Sequence, residues 1–85
     1  MTESHVYAVE TVRVDDPHRM VTTTSRVQTL REAIDDYNER ISHFLDSEYE
    51  VDLRVKKYTY IDNRFEKETC IESTIIRGRF WGEEE

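Results

Sequence analysis

Histidine, cysteine and paired aspartates are the residues of this 85-residue chain that could bind a metal ion or attack a substrate. The histidines do not have the spacing by which two imidazoles bind zinc; they are His5, His18 and His43. Cys70 has no glycine-rich loop beside it that could stabilise an oxyanion. Asp35 and Asp36 are neighbours in a predicted helix, where adjacent side chains point apart. The sequence therefore predicts no catalytic residue, no metal site and no cofactor.

Acidic residues are a more informative group, because they are concentrated in one segment. Residues 28–52 contain eight acidic and two basic residues, a net charge of −6. Residues 53–81 contain seven basic and four acidic residues, a net charge of +3, while the whole chain carries −7. This distribution disfavours general attraction to nucleic acid or anionic membranes and favours a protein partner with a basic surface. A solvated helix face that only maintains solubility is the alternative.

We therefore predict that the chain binds a protein partner through the acidic segment and the strand that follows it. The acidic residues are expected to meet basic groups, and the basic and aromatic residues to add a second patch. The ten predicted partner-binding residues are Glu32, Asp35, Asp36, Glu39, Asp46, Glu48, Arg54, Lys56, Tyr58 and Tyr60.

A single amphipathic helix is predicted to position most of the acidic residues. From Thr29 to Leu45, apolar residues recur at i, i+3, i+4 and i+7, which gives one apolar stripe along a helix. Thr29 and Glu32 match the T-x-x-E capping box found at helix starts. The acidic residues of this stretch then lie on the opposite face.

Two β-strands are predicted before the helix, joined as a hairpin by a turn at residues 15–18. The first strand, residues 5–14, has apolar residues in both phases of its alternation. It is therefore either a central strand covered on both faces or a strand with a β-bulge near Glu10. The second strand, residues 19–27, is rich in threonine, which suits a half-solvated sheet.

The last part of the chain is predicted to form a second hairpin. Apolar and charged residues alternate from Tyr49 onwards, the clearest period of two in the sequence. Matching the apolar sides of the two strands selects a three-residue loop at residues 62–64. The expected cross-strand pairs are Ile61 with Phe65, Tyr60 with Glu66, Tyr58 with Glu68, Val55 with Ile71, Arg54 with Glu72 and Val51 with Ile75.

These elements predict an α+β fold in one domain, residues 1–85, with the order β-β-α-β-β. The fold is a four-stranded, mainly antiparallel sheet with one amphipathic helix on one face. Residues 82–85 are expected to be a flexible acidic tail. The sheet face without a helix is predicted to be an interaction surface, most simply a homodimer contact. Its residues on the last hairpin would be Arg54, Lys56, Tyr58, Tyr60, Cys70, Ile76 and Phe80.

The preferred functional prediction is a non-catalytic module whose carboxylates mask a partner surface meant for nucleic-acid phosphate. In composition the chain resembles phage-encoded inhibitors of host defence, such as anti-CRISPR and anti-restriction proteins, which are small, acidic, cysteine-poor single domains. An antitoxin or a small homodimeric regulator has the same profile. Single-stranded nucleic-acid binding by the basic, aromatic terminal hairpin is a further alternative. The lone cysteine and the lack of a long apolar segment predict a cytoplasmic protein.

Overall fold

The strand nearest the N-terminus lies in the interior of a four-stranded sheet. The computed structural model describes residues 1–82, with Thr24 described by its backbone alone. The elements are β1 (Glu3–Arg13), β2 (Val21–Val27), α1 (Leu30–Leu45), β3 (Glu50–Ile61) and β4 (Arg64–Arg77). The strand order is β2-β1-β3-β4, and all neighbours are antiparallel. The α+β class and the order β-β-α-β-β are confirmed; of the predicted acidic tail, residues 83–85 lie outside the described residues.

Helix α1 begins and ends where side chains and turns supply partners for its terminal backbone groups. Thr29 has an extended backbone, and its hydroxyl accepts the N–H of Glu32 at 3.2 Å, as the threonine of a capping box does. At the other end, the N–H of Asp46 donates to the carbonyl of His43. The predicted helix is thus confirmed, with Thr29 as its N-cap. Nowhere in residues 1–82 is a helix long and apolar enough to cross a membrane.

The core lies between α1 and one face of the sheet. Because strand side chains alternate, the odd-numbered residues of β3 point to this helix face and the even-numbered residues to the other, open face. The buried core cluster consists of Val9, Ala33, Tyr37, Val51, Leu53, Val55 and Ile76. One helix and three strands therefore share a single small core.

The hairpin of β1 and β2 contains the β-bulge predicted near Glu10. Its register shifts between Val9 and Glu10, and β1 is also a central strand, so both explanations of its two-phase pattern hold. β2 begins at Val21 rather than at Arg19 as predicted. Arg19 has a φ of 46°, which belongs to a turn and not to a strand.

The hairpin of β3 and β4 turns on two residues, so the predicted three-residue loop is wrong. Asp62 and Asn63 have φ angles of 51° and 67°. Two successive positive φ angles define the type I′ turn, which matches the twist of the flanking strands. Pairing therefore starts one residue earlier than expected, with Ile61 opposite Arg64.

Two irregularities in β4 then shift the register of this hairpin twice. They leave Glu66 and Ile71 as extra residues without a partner on β3. Of the predicted pairs, Tyr58 with Glu68 is confirmed, and each of the other five is wrong by one position. One consequence is that Ile76 lies in the core and Ile75 is exposed, the reverse of the prediction.

The chain after β4 packs closely against the connection that follows α1. The N–H of Gly78 donates to the carbonyl of Tyr49 and that of Arg79 to the carbonyl of Leu45, both at 2.9 Å. A Cβ atom on Gly78 would overlap the backbone oxygen of Ser47. This close approach of two backbone segments therefore requires glycine.

Replacing Gly78 by Ala is expected to destabilise the fold, because the added methyl group must displace the Ser47 backbone. We expect the free energy of unfolding to fall by about 2–3 kcal/mol, measured by urea denaturation followed by circular dichroism. Gly82→Ala is the matched control: nothing lies within 4 Å of its Cβ position, and only its φ of 76° opposes the change, at about 1 kcal/mol. An equal or smaller loss for Gly78→Ala would refute the steric explanation.

Candidate functional site

Three carboxylates on the outer side of α1 make no internal interaction in the described part of the chain. Glu32, Asp35 and Glu39 are exposed, and their side chains take part in none of the hydrogen bonds or ion pairs of residues 1–82. Their spacing of three and four residues places them in one row along the helix. We call these three residues the helix ridge.

Asp36 has different surroundings, although it is the neighbour of Asp35. Its carboxylate accepts the hydroxyl of Ser25 at 2.9 Å and lies 3.7 Å from Nε of Arg40. Asp36 therefore connects α1 to the edge strand β2, and its carboxylate is already occupied.

Asp46 and Glu48 lie beyond the end of α1, in the connection to β3. Asp46 accepts a hydrogen bond from Arg79 at 3.1 Å. Glu48 is exposed and lines a pocket of about 370 Å³ together with Tyr49 and Arg13. The Arg13 guanidinium lies 4.2 Å from the centroid of the Tyr49 ring, so a cation already covers this aromatic wall.

A buried carboxylate, Glu10, stands near the middle of the open face. Glu10 is only 5% exposed, and the Tyr58 hydroxyl donates a short hydrogen bond to it. The ammonium of Lys56 lies 3.7 Å from Glu10 and 3.5 Å from Glu68. Long polar side chains thus cover the centre of this face in place of a second helix.

The other strand residues of the open face are engaged in the same way. Burial raises the pKa of the Tyr58 phenol, and so do the hydrogen bond to Glu10 and its negative charge. Asp52 accepts a hydrogen bond from Arg54 at 2.7 Å, which raises the pKa of the guanidinium. Arg54, Lys56 and Tyr58, three of the predicted partner-binding residues, are therefore held by partners inside the molecule.

Glu10 itself was not among the residues predicted from the sequence. The signal that could have identified it is a lone acidic residue within an otherwise apolar, β-branched strand. A carboxylate in such a position is stable only when hydrogen-bond donors or a cation surround it. Its donors lie about 50 residues further along the chain, so periodicity within β1 could not reveal them.

Tyr60 belongs to an aromatic cluster near the tip of the second hairpin. The Phe65 ring centroid lies 6.0 Å from that of Tyr60 and 6.3 Å from that of Tyr58. Phe65 is 57% exposed, and it pairs with Tyr60 across the strands. The cluster therefore lies on the open face and is accessible to solvent.

The ten predicted partner-binding residues do not form one surface. The acidic residues of α1 lie on the helix side of the sheet, whereas Arg54, Lys56, Tyr58 and Tyr60 are even-numbered β3 residues of the open face. The sheet separates the two groups. One flat partner surface can contact either group but not both.

The residues considered for metal binding or nucleophilic catalysis are also far apart in the fold. Cys70 is exposed and pairs with Lys56 on the open face, while His43 lies on α1, so the sheet lies between them. His18 is in the turn between β1 and β2. Within residues 1–82, no group of three or more His, Cys, Asp or Glu is arranged to hold a metal ion.

A groove of about 620 Å³ lies between α1 and the edge strand β4. One wall consists of Tyr37, Asn38, Ile41 and Leu45 from the helix, and the other of residues 72–77 from the strand. Leu45 is 49% exposed, and Ile75, which borders the groove, is 65% exposed. Apolar side chains therefore flank an open strand edge.

No protein-family model, curated protein or solved structure matches this chain. Only the geometry and charge of its own residues therefore bear on its function.

Replacing Tyr58 by Phe is expected to destabilise the protein, because the buried Glu10 carboxylate loses a donor. We expect the free energy of unfolding at neutral pH to fall by about 1–3 kcal/mol, measured by urea denaturation. Tyr60→Phe is the control, since no hydrogen bond of the Tyr60 hydroxyl is present among residues 1–82; its effect should stay within about 0.5 kcal/mol. Equal effects of the two substitutions would show that the bond to Glu10 contributes nothing.

The pH dependence of the stability of Tyr58→Phe provides an independent test of the hydrogen bond between Tyr58 and Glu10. The native state keeps the Tyr58 proton to higher pH than the unfolded chain, in which tyrosine has a pKa of about 10. The stabilisation is therefore complete below about pH 10 and is lost as the pH rises above it. Above about pH 10, the free energy of unfolding should fall more steeply in the wild type than in Tyr58→Phe.

Proposed function

We propose that the protein is a non-catalytic binding module that contacts a basic surface of another protein through the helix ridge. The observation that carries this proposal is the set of three exposed carboxylates, Glu32, Asp35 and Glu39, that are free of internal partners in residues 1–82. Carboxylates without an internal counter-ion are available to pair with the basic groups of a partner. We propose the cytoplasm as the place of action, where an exposed free thiol such as that of Cys70 is kept reduced.

The distribution of internal ion pairs supports the ridge as the contact surface. Four of the seven basic residues in the segment 53–81 pair with carboxylates of the same molecule: Arg54 with Asp52, Lys56 with Glu10 and Glu68, Arg77 with Glu50, and Arg79 with Asp46. These pairs neutralise much of the terminal hairpin. Within residues 1–82, the three carboxylates of the helix ridge keep no such internal partner and can steer a basic partner.

The spacing of the ridge supports the more specific proposal that it occupies a site meant for nucleic-acid phosphate. Glu32 and Glu39 are about 10 Å apart along the helix axis, with Asp35 between them. The ridge therefore presents one charge per about 5 Å, compared with one per about 3.4 Å along a single DNA strand. Its charge density is about two-thirds that of the strand, dense enough to compete for a row of lysines or arginines. An inhibitor of a nucleic-acid-binding protein would act in this way.

The same geometry gives less support to single-stranded nucleic-acid binding. Such binding needs stacking aromatic rings and free cations along one groove. The aromatic cluster of Tyr58, Tyr60 and Phe65 lies on the open face, where Arg54 and Lys56 are already paired with carboxylates. Within residues 1–82, the basic residues of this hairpin that have no ion pair are Lys57, Arg64 and Lys67. Their cross-strand neighbours are on the helix face of the sheet, so these cations do not lie beside the aromatic cluster.

Neutralising the ridge is expected to weaken partner binding without affecting the fold. A partner captured by a tagged pull-down from nuclease-treated lysate would be titrated with the wild type and with the triple variant Glu32→Gln, Asp35→Asn, Glu39→Gln. We expect an affinity about 10- to 100-fold lower, because each exposed charge pair contributes about 0.5–1 kcal/mol. Circular dichroism melting should change only slightly, since the three side chains have no internal partner and only the charge of Glu32, in the first turn of α1, interacts with the helix dipole, at about 0.3–1 kcal/mol.

A second triple variant with the same change of net charge provides the matched control. Glu3→Gln, Asp16→Asn and Glu66→Gln neutralise three acidic residues away from α1, of which Glu3 and Glu66 are exposed and Asp16 is half-buried. We expect this variant to bind within about twofold of the wild type at physiological salt, because exposed charges beyond a Debye length of about 8 Å are screened. Equal losses in both variants would indicate non-specific attraction, and no loss in the ridge variant would exclude the ridge as the contact.

Fluorescence anisotropy with labelled single-stranded DNA and RNA tests the alternative directly. At low salt we expect no saturable binding up to about 100 µM protein, the weak end of ordinary non-specific affinities. Saturable binding that is lost in the variant Arg64→Ala, Lys67→Ala would favour the nucleic-acid function and contradict the proposed one.

A further inference from the structure

Strand β4 leaves a regular stretch of backbone unpaired at the edge of the sheet. In antiparallel pairs, residues that exchange hydrogen bonds alternate with residues that do not. Gly78 bonds Tyr49 in this hairpin, so Ile76, Thr74 and Glu72 are the β4 residues bonded to β3. The backbone N–H and C=O groups of the residues between them point away from β3. These outward residues are Ser73, Ile75 and Arg77.

The stretch from residue 72 to residue 77 is suited to accept another strand. Natural edge strands often carry bulges that prevent further pairing, and both extra residues of β4, Glu66 and Ile71, lie before this stretch. The remaining six residues keep an uninterrupted register with β3. The same six residues form one wall of the 620 Å³ groove beneath α1.

We propose that this groove binds an extended segment of a partner protein, which adds to β4 as an antiparallel fifth strand. Three backbone positions of β4 supply the main-chain hydrogen bonds, and alternate side chains of the added strand enter the groove beside Ile41 and Leu45. This site is separate from the helix ridge and goes beyond the function proposed above. It defines a second contact with its own sequence preference.

The side chains of the groove specify the residues of that segment. Positions opposite Thr74 and Ile76 face the helix wall and take apolar residues that cover Leu45. The position opposite Ile75 is on the open face and also takes an apolar residue, since Ile75 is largely exposed. The position opposite Glu72, an exposed carboxylate with no ion pair in residues 1–82, takes Lys or Arg. The segment therefore combines three consecutive apolar residues with one basic residue two positions after them.

A second copy of this chain fits the groove less well. Two β4 edges pair antiparallel only about a twofold axis perpendicular to the sheet, so each residue meets one from the same face. Glu72 would then face Glu72, Thr74, Ile76 or Gly78 of the other copy and gain no counter-ion. Ile76 is already buried under its own helix, so the second copy offers no free apolar side chain for Leu45. Each copy also carries a net charge of −7.

The test uses the peptide Ser-Val-Ile-Val-Thr-Lys, blocked at both ends, titrated into the ¹⁵N-labelled protein and followed by NMR. In the antiparallel orientation its two valines face the groove and its lysine lies opposite Glu72. We expect a Kd of about 1 mM, with the largest shifts at the amides of Ser73, Ile75 and Arg77. No shift up to about 5 mM peptide, or shifts confined to other parts of the molecule, would overturn the proposal.

A charge swap distinguishes specific strand pairing from non-specific binding of the peptide. Glu72→Lys should weaken binding of the lysine peptide by about threefold or more, and a peptide ending in glutamate instead of lysine should bind this variant better than the wild type. Unchanged affinities in both combinations would exclude the assigned orientation. Sedimentation showing a dimer that the peptide does not dissociate, and that Glu72→Lys leaves intact, would assign the edge to a second copy and contradict the proposal.

The ridge variant distinguishes the two proposals. Glu32→Gln, Asp35→Asn, Glu39→Gln should bind the peptide within about twofold of the wild type, because none of these residues lines the groove. Failure of the peptide to bind would therefore contradict only the proposal for the groove. Unchanged partner binding by the ridge variant would contradict only the proposal for the helix ridge.

Discussion

The structure depends on a mismatch of lengths between one helix and the sheet that it covers. A helix of 16 residues is about 24 Å long, whereas a strand of 14 residues spans about 46 Å. The molecule is accordingly 57 Å long and only 15 Å thick. Helix α1 can shield one end of one face, so the rest of the sheet must stabilise itself with its own side chains. The Glu10 network and the exposed ring of Phe65 both follow from this shortage of cover.

The arrangement of charged side chains also follows from the lack of a second helix over the sheet. On an uncovered sheet, long basic side chains lie across the surface and pair with acidic neighbours, as Lys56 does with Glu10 and Arg54 with Asp52. Four of the seven basic residues in the segment 53–81 pair with carboxylates, whereas Glu32, Asp35 and Glu39 on α1 have no ion pair within residues 1–82. The helix ridge and the groove lie on adjacent sides of this helix, since Asn38 of the groove wall follows Asp35 by one turn. A single partner could reach both.

The sequence was informative where the determinants are local. The capping threonine and the apolar stripe identified α1, and the two-phase pattern of β1 pointed to the bulge beside Glu10. The alternation of apolar residues predicts the wrong loop at Asp62 and Asn63, because it gives the loop length only for an uninterrupted ladder and β4 contains two extra residues. Among the candidate site residues, exposure of Glu32, Asp35 and Glu39 followed from helix periodicity. The internal partners of Asp36 and Tyr58 come from other strands, which a periodicity within one element cannot identify.

The central position of β1 affects how the chain acquires its structure. Its partners on β3 are 38 to 58 positions away, from Arg13 opposite Val51 to Glu3 opposite Ile61. Contacts between such distant residues slow folding, and a two-stranded hairpin is marginally stable by itself. During synthesis, β1 emerges first but has only β2 beside it until β3 has left the ribosome. A nascent chain that ends before residue 76 therefore has an incomplete core, and the sheet, the buried side of α1 and the groove are complete only after β4 has left the ribosome.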